Sequence, residues 1–345
     1  MRIKGMDDYF RSLRGRVDRR HIQTTIAVIG IGRVGAWLAL ELARLGPRRL
    51  VLVDGDELET ANLAGHPLPA EFVGWNKAVA MAEWLGRQVP NLEVIAIPNF
   101  IDHDTTDELI FEDVIEPAAA VIVATDDVEI QRRVAGLARL AEVPSIVPGI
   151  AADGSGRGEA FISFSEDEPC VECFDAFRPA GAPVRGAAAV ALDAAPAVML
   201  GFALMLAVLD PTSREAGMLT PLREGGPVPQ LFRAWPPGAP ELAHADDGRT
   251  EVPWRPNCPG CGGRRVPILT RRQLFRQRRV ERQTRRSWQL PRWLVWTIYL
   301  LEVVALVVLS DASGEMVAAA MAASLTLGLG VWIGRRLPPI RVVPG

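Results

Sequence analysis

Lysine is almost missing from this chain. Its 345 residues hold two lysines, Lys4 and Lys77, against thirty-six arginines. Positive charge is carried by arginine nearly everywhere, so a lysine in the folded region marks a place where a compact ammonium does what a guanidinium does not. Cysteine is scarce as well. There are four, Cys170, Cys173, Cys258 and Cys261, each in a C-x-x-C pair. No secretory leader is expected, because Met1–Gln23 is charged and lacks an apolar core. Outside an oxidising compartment such thiols read as metal ligands or redox groups, not structural disulfides. A net charge of −3 carries no basic excess, so composition offers no argument for a nucleic-acid partner. The length suits one large or two modest domains, either able to bury a substantial core.

What is present is organised around Ile26–Asp56. Ile26–Ile29 is apolar and rich in β-branched residues, as a fully buried strand is. It runs into Gly30-Ile31-Gly32-Arg33-Val34-Gly35, which opens onto the amphipathic stretch Ala36–Leu45. Leu50–Val53 is a second buried strand, and Asp54 follows it nineteen residues beyond Gly35. Strand, glycine turn, helix and strand with a terminal acid suit a nucleotide. Glycines admit the phosphates, the helix N-terminus faces their charge, and the acid receives ribose hydroxyls.

Further along, Asp54-Gly55-Asp56 enters a loop in which Asp54 can chelate a ribose and Asp56 orders the chain. Gly74-Trp75-Asn76-Lys77 opens a helix running through Val89, with Lys77 where a helix dipole disfavours a cation unless an anion is near. Leu92–Ile97 and Ala118–Ala124 read as strands, the second ending at Thr125-Asp126-Asp127 before a helix over 128–140. A carboxylate there lies where open α/β sheets bind ligands, so Asp126 is a candidate Mg²⁺ group; capping by Asp126 or Asp127 is the plainer role. Ser145–Ile150 and Ala160–Phe164 supply more strands. The pairs Cys170/Cys173 and Cys258/Cys261 suit a closed tetrahedral Cys₄ zinc site, which is structural because no coordination position is left open.

Ala188–Leu209 is apolar, but Asp193 and Pro196 interrupt it, so it reads as a core helix. Residues 211–257 are rich in proline and glycine and read as a long insertion. Ten arginines crowd the span from Arg264 to Arg286, and two apolar runs follow, Trp293–Ser310 and Met316–Gly334. These runs predict a two-helix transmembrane hairpin over 293–336, with anionic lipid against the arginines and a two-pass placement in the inner or plasma membrane. By the positive-inside rule the catalytic domain and both termini are expected to be cytoplasmic. The expected division is an arginine-rich arm over 1–25, a nucleotide-binding domain over 26–265, a basic linker over 266–292, and the hairpin. The fold class is α/β: a Rossmann-like, doubly wound, mostly parallel sheet with a zinc knuckle, plus the hairpin.

The string G-x-G-x-x-G, D-x-D-x-x-E-x-x-N-L, G-x-x-K-A, T-D-D and two C-x-x-C pairs resembles the ThiF/MoeB/ubiquitin-activating (E1-like) adenylyltransferase superfamily over roughly residues 10–265. The resemblance implies a homodimer that binds ATP and Mg²⁺ and adenylates a carboxylate, usually the C-terminal glycine of a ubiquitin-like or sulfur-carrier protein. It places Gly30, Gly32 and Gly35 under the nucleotide, Asp54 on the ribose with Asp56 beside it, Asn62 and Lys77 on phosphates, and Asp126 at the metal and acyl-adenylate end. Lys77 and Asp126 would be catalytic. Asn62-Leu63-Ala64-Gly65-His66 departs from the family's Asn-Leu-x-Arg-Gln, with Gly65 in place of an arginine; Arg33, Arg11 or Arg14 are the candidate replacements. With all four thiolates on zinc, no cysteine remains for a thioester. A degenerate homologue acting as a scaffold is the alternative reading. A nicotinamide dehydrogenase would account for the glycine turn and Asp54 but not for Lys77 or the cysteines.

Overall fold

In a computed structural model of the chain, the described residues are 9–13, 15–89, 91–101, 107–151, 156–164, 168–177, 191–219, 231–234, 249–250, 252, 255, 258 and 340–342. They belong to one unit, Met1–Val266 with Pro339–Gly345; the second unit, Pro267–Pro338, lies outside them. Strands β1 (Thr25–Ile29), β2 (Arg49–Val53), β3 (Glu93–Ile97), β4 (Ala120–Val123) and β5 (Ser145–Ile150) run parallel in the order β3-β2-β1-β4-β5. Antiparallel strands extend both sides. β6 (Gly158–Ser163), β7 (Leu231–Ala234) and β8 (Arg249–Thr250) follow β5, and β9 (Ile340–Val342) pairs with β3.

Alternation along each strand divides the interior in two. Ile26, Val28, Leu50 and Leu52 face one apolar cluster, with α1 (Arg33–Leu45), α2 (Lys77–Gln88) and the later helix α5 (Ala191–Leu209). Ala27, Ile29, Val51 and Val53 face the other, with α3 (Val128–Ala141) and α4 (Val171–Phe177). All five residues of β1 are buried, as the unbroken apolar run requires of a central strand.

The helices begin and end where their chemistry says. Asn76 caps α2 by accepting from Val79 N at 3.1 Å, and Asp127 caps α3 by accepting from Glu129 N and Ile130 N at 2.8 and 3.2 Å. Gly46 closes α1 in the left-handed conformation, φ +71°. Three expectations need revision. Pro196 does not interrupt the apolar helix; α5 runs through it from Ala191, and β6 admits it closely because Gly158 has no side chain. A Cβ on Gly158 would lie 2.3 Å from Ala197 N. The stretch 211–257 contributes β7 and β8 to the sheet.

The third revision concerns placement. Among the described residues no helix is long and apolar enough to cross a membrane, which overturns the two-pass inner- or plasma-membrane placement. The transmembrane hairpin over 293–336, the basic linker over 266–292 and the arginine cluster all lie outside the described residues.

Candidate functional site

Strand order reverses between β1 and β4, and in open α/β sheets ligands bind at the carboxyl ends of the strands where this happens. Gly30 leaves β1 at φ +83°, and a Cβ there would meet Ala124 C and O of the β4 exit at 2.8 Å. A Cβ on Gly35 would lie 1.8 Å from Gly30 O, so the turn closes on α1 only with glycine at both places. Gly32 differs. A Cβ there would meet nothing within 4 Å, so no packing explains its bare backbone, which stays open to close approach.

Asp54, at the end of β2, ties this turn to the next loop. Its Oδ2 accepts Ile31 N–H at 2.6 Å and its Oδ1 accepts Asp56 N–H at 2.8 Å. Burial pushes its carboxyl up from the ordinary range, against the pull of those two N–H groups and the Lys77 charge. Asn76 donates to the carbonyls of both Asp54 and Asp56, at 2.9 and 3.1 Å. Lys77 then meets Asp56: Nζ lies 2.8 Å from Oδ2, with the lysine side chain 11% exposed and the aspartate 54%. The anion that a cation at the start of α2 calls for is thus supplied in part by Asp56. The ring of Phe100 covers Gly55, where a Cβ would fall 2.5 Å from it.

The segment after Glu59 folds back on the turn. Asn62 Oδ1 accepts Glu59 N–H at 3.0 Å, closing a capping box around a short 3₁₀ turn. Gly65 follows, and its carbonyl accepts the Trp37 indole N–H at 3.0 Å. His66 is buried, with Nε2 2.9 Å from Ile31 O and Nδ1 accepting Leu68 N–H at 3.2 Å. These partners set a neutral imidazole protonated at Nε2. Burial lowers its pKa, the Lys77 charge adds to that, and the Ile31 carbonyl opposes it. No sequence pattern marks Trp37, and His66 stands out only as the last residue of the departing run Asn62-Leu63-Ala64-Gly65-His66. Across the crevice the two acids after β4 separate: Asp127 caps α3, while Asp126 is exposed and makes no hydrogen bond or ion pair among the described residues.

The cysteines form a second centre in the cluster around α3 and α4. Cys170, Cys173 and Cys258 are buried, and Cys170 Sγ lies 3.9 Å from Cys173 Sγ and 3.5 Å from Cys258 Sγ. Thiolates about 2.3 Å from a tetrahedral zinc stand about 3.8 Å apart, so the three fit a metal and are too far apart for disulfides. Cys261 lies outside the described residues.

The arginine-rich arm packs against the domain. Phe10 seats on Gly46, Arg19 lies 3.8 Å over the Phe10 ring, Arg16 pairs with Glu215, and Arg20 with Asp18. Asp210, with its side chain wholly buried, accepts Asp18 N–H at 2.8 Å and bonds His21 Nδ1 at 3.0 Å. Gly46 lies at the end of α1 opposite the glycine turn, so these residues sit a strand length away, about 17 Å. Of the arginines named to stand in for position 65, Arg33 is the one placed at the turn; Arg14 is outside the described residues.

Three comparisons bear on this arrangement. The sequence matches the ThiF family over residues 13–310. A 66-residue stretch is 39% identical to the ATP-dependent ubiquitin transferase-like protein Cap2 of Enterobacter hormaechei, covering 19% of this chain and 11% of that one. Over 87 residues the chain is 36% identical to tRNA threonylcarbamoyladenosine dehydratase of Bacillus subtilis, 25% of this chain and 34% of that one. The chain thus spans between about a tenth and a third of the length of these curated relatives. The crystal structure of E. coli MccB with ATP superposes with a TM-score of 0.52 at 18% identity, over 71% of this chain and 68% of that one, a likeness of fold. With the match running from residue 13 to residue 310, through the glycine turn, Asp54, Lys77, Asp126 and both cysteine pairs, the chain belongs to the ThiF family.

Proposed function

We propose that this chain adenylates a carboxylate with ATP and Mg²⁺. The carboxylate oxygen attacks the α-phosphorus, the bond to the β-phosphate oxygen breaks, and pyrophosphate leaves an acyl-adenylate. Two anions approach each other in that step, so the site must spread developing negative charge. Asp54 takes the ribose, the bare backbone at Gly30, Gly32 and Gly35 admits the phosphates, and Asn62, Lys77 and Arg33 contact them. Asp56 holds Lys77 in place until the triphosphate competes for it. Asp126, exposed at the β4 exit, is the ligand offered to Mg²⁺, which when bound supplies further charge neutralisation at the phosphates. Zinc on Cys170, Cys173, Cys258 and Cys261 has a structural part.

The observation that carries this reading is the hydrogen-bonded chain Ile31–Asp54–Asp56–Lys77. It joins Asp54 and Lys77 in one unit at the switch point, which supports reading the first as the ribose acid and the second as the phosphate cation. A nicotinamide site needs the acid but has no use for that lysine. The names of relatives point the same way, an ATP-dependent ubiquitin transferase-like protein among them. The substrate class we propose is the C-terminal glycine of a ubiquitin-like or sulfur-carrier protein. The acyl-adenylate then passes to an outside nucleophile, since three of the four thiols are gathered in the metal cluster. The homodimer implied by the resemblance belongs to the same proposal.

ATP–pyrophosphate exchange in the zinc-loaded full chain, with candidate carboxylate proteins supplied, tests the activity. Exchange that depends on the carboxylate is expected; its absence with the cognate substrate overturns the reading. Gly65 favours a second reading, a scaffold that binds nucleotide or a ubiquitin-like partner without chemistry. Lys77→Ala separates the two, because a scaffold keeps its cellular role without the lysine.

A further inference from the structure

The contact between α1 and the returning loop bears on which cation meets the triphosphate. Gly65 has no positive φ, so its backbone does not require glycine. The space a side chain there would take is filled by Arg33. A Cβ on Gly65 would lie 2.5 Å from Arg33 Nε, 3.1 Å from Cδ and 3.3 Å from Cγ, so the arginine stem runs across the bare Cα. The loop is held for this crossing from the same helix, because Trp37, one turn after Arg33, donates its indole N–H to Gly65 O at 3.0 Å. His66 secures the next position through Ile31 O, inside the glycine turn itself. Arg33, so placed, makes no ion pair and no hydrogen bond among the described residues, whereas Arg16, Arg20, Arg49, Arg87, Arg132 and Arg157 all have carboxylate partners.

We infer that Arg33 and Gly65 are one device: Gly65 is bare so that Arg33 can lie across it, and the guanidinium so placed is the triphosphate-contacting arginine of this site. The inference rests on the nucleotide reading above and deepens it. Trp37 is a positioning residue, acting on Arg33 through Gly65. The device has an unusual consequence. A side chain at position 65, an arginine included, competes with Arg33 for the same space and weakens the site instead of supplementing it.

The test is a double-mutant cycle on the full chain, with Kd measured by calorimetry for ATP with magnesium and for adenosine. Arg33→Gln is expected to weaken ATP roughly tenfold or more and leave adenosine unchanged, because only the triphosphate loses a charged hydrogen bond. Gly65→Ala is expected to act in the same direction, and the pair together to be no worse than Arg33→Gln alone. Trp37→Phe should weaken ATP in the parent and have no further effect beside Arg33→Gln. Equal thermal melts for all variants exclude misfolding as the cause; should Gly65→Ala melt early, the Arg33→Gln and Trp37→Phe cycle still decides. The inference is overturned if ATP affinity is indifferent to Arg33→Gln, or if the Arg33 and Gly65 effects simply add. If the parent chain binds neither ATP nor adenosine, the nucleotide reading falls and takes this inference with it.

Discussion

At the scale of single residues, the site is built from groups held away from their preferred states. Asp54 is a carboxylate pushed up by burial, so its folded pKa exceeds its unfolded one. Its contribution to stability is then greatest below the unfolded pKa and is lost as pH rises through the folded value. Asp54→Asn removes the titrating charge but keeps an acceptor for only one of the two N–H groups and sets an amide NH2 against the other. Thermal melts of the parent should show stability falling as pH rises above about 4, a part of the pH slope that the variant lacks, while nucleotide binding is lost in the variant. His66 has the opposite shift. Its folded pKa is lowered, so the unfolded state takes the proton first and the fold loses stability as pH drops below about 6.5. In melts run between pH 7.5 and 5, His66→Gln should remove that part of the slope. Lys77→Ala should lower the exchange rate by at least about a hundredfold with little change in the melt, as expected of a group acting on developing charge.

At the scale of elements, the sequence and the structure agree where the information is local. The β1–turn–α1–β2 unit was legible because its periodicity, its glycines and Asp54 lie within one short stretch. The same holds for α2 with Asn76 and Lys77, and for α3, where Asp127 proves to be the cap and Asp126 is left exposed. Asp127→Ala should cost about 1 kcal/mol in denaturant unfolding, whereas Asp126→Ala should leave stability unchanged and impair only metal-dependent exchange. What was not legible are contacts made when a loop returns to an earlier element. Trp37 reaches Gly65 across 28 residues, and His66 reaches Ile31 across 35. Neither periodicity nor spacing encodes such a meeting. Gly65 thus read as a missing arginine, whereas the Arg33 side chain lies across its bare Cα. Pro196 was misread for a related reason: helix α5 is stabilised by packing on β5, β6 and α1, which outweighs the single backbone bond a proline removes.

At the scale of the whole molecule, a doubly wound parallel core is extended at one edge by β6, β7 and β8, and at the other by β9. β8 and β9 are two and three residues long, too short to carry a pattern of their own. They are strands because an open sheet edge recruits them. The cysteine cluster lies at the start of α4, where Phe161 and Phe174 stack at 5.0 Å, so zinc on it would join the antiparallel extension to the parallel core. Chelation should therefore lower the melting temperature, and elemental analysis should find one zinc per chain, a content lost in Cys173→Ser. The crevice between β1 and β4 is proposed to hold ATP through Asp54 and Lys77. Calorimetric titration of the full chain and of Lys77→Ala with ATP and magnesium, beside NADH, decides it. ATP is expected to bind, at least about tenfold more weakly to Lys77→Ala, and NADH not to bind. ATP affinity unchanged by the substitution, or NADH bound in preference to ATP, would rule this site out.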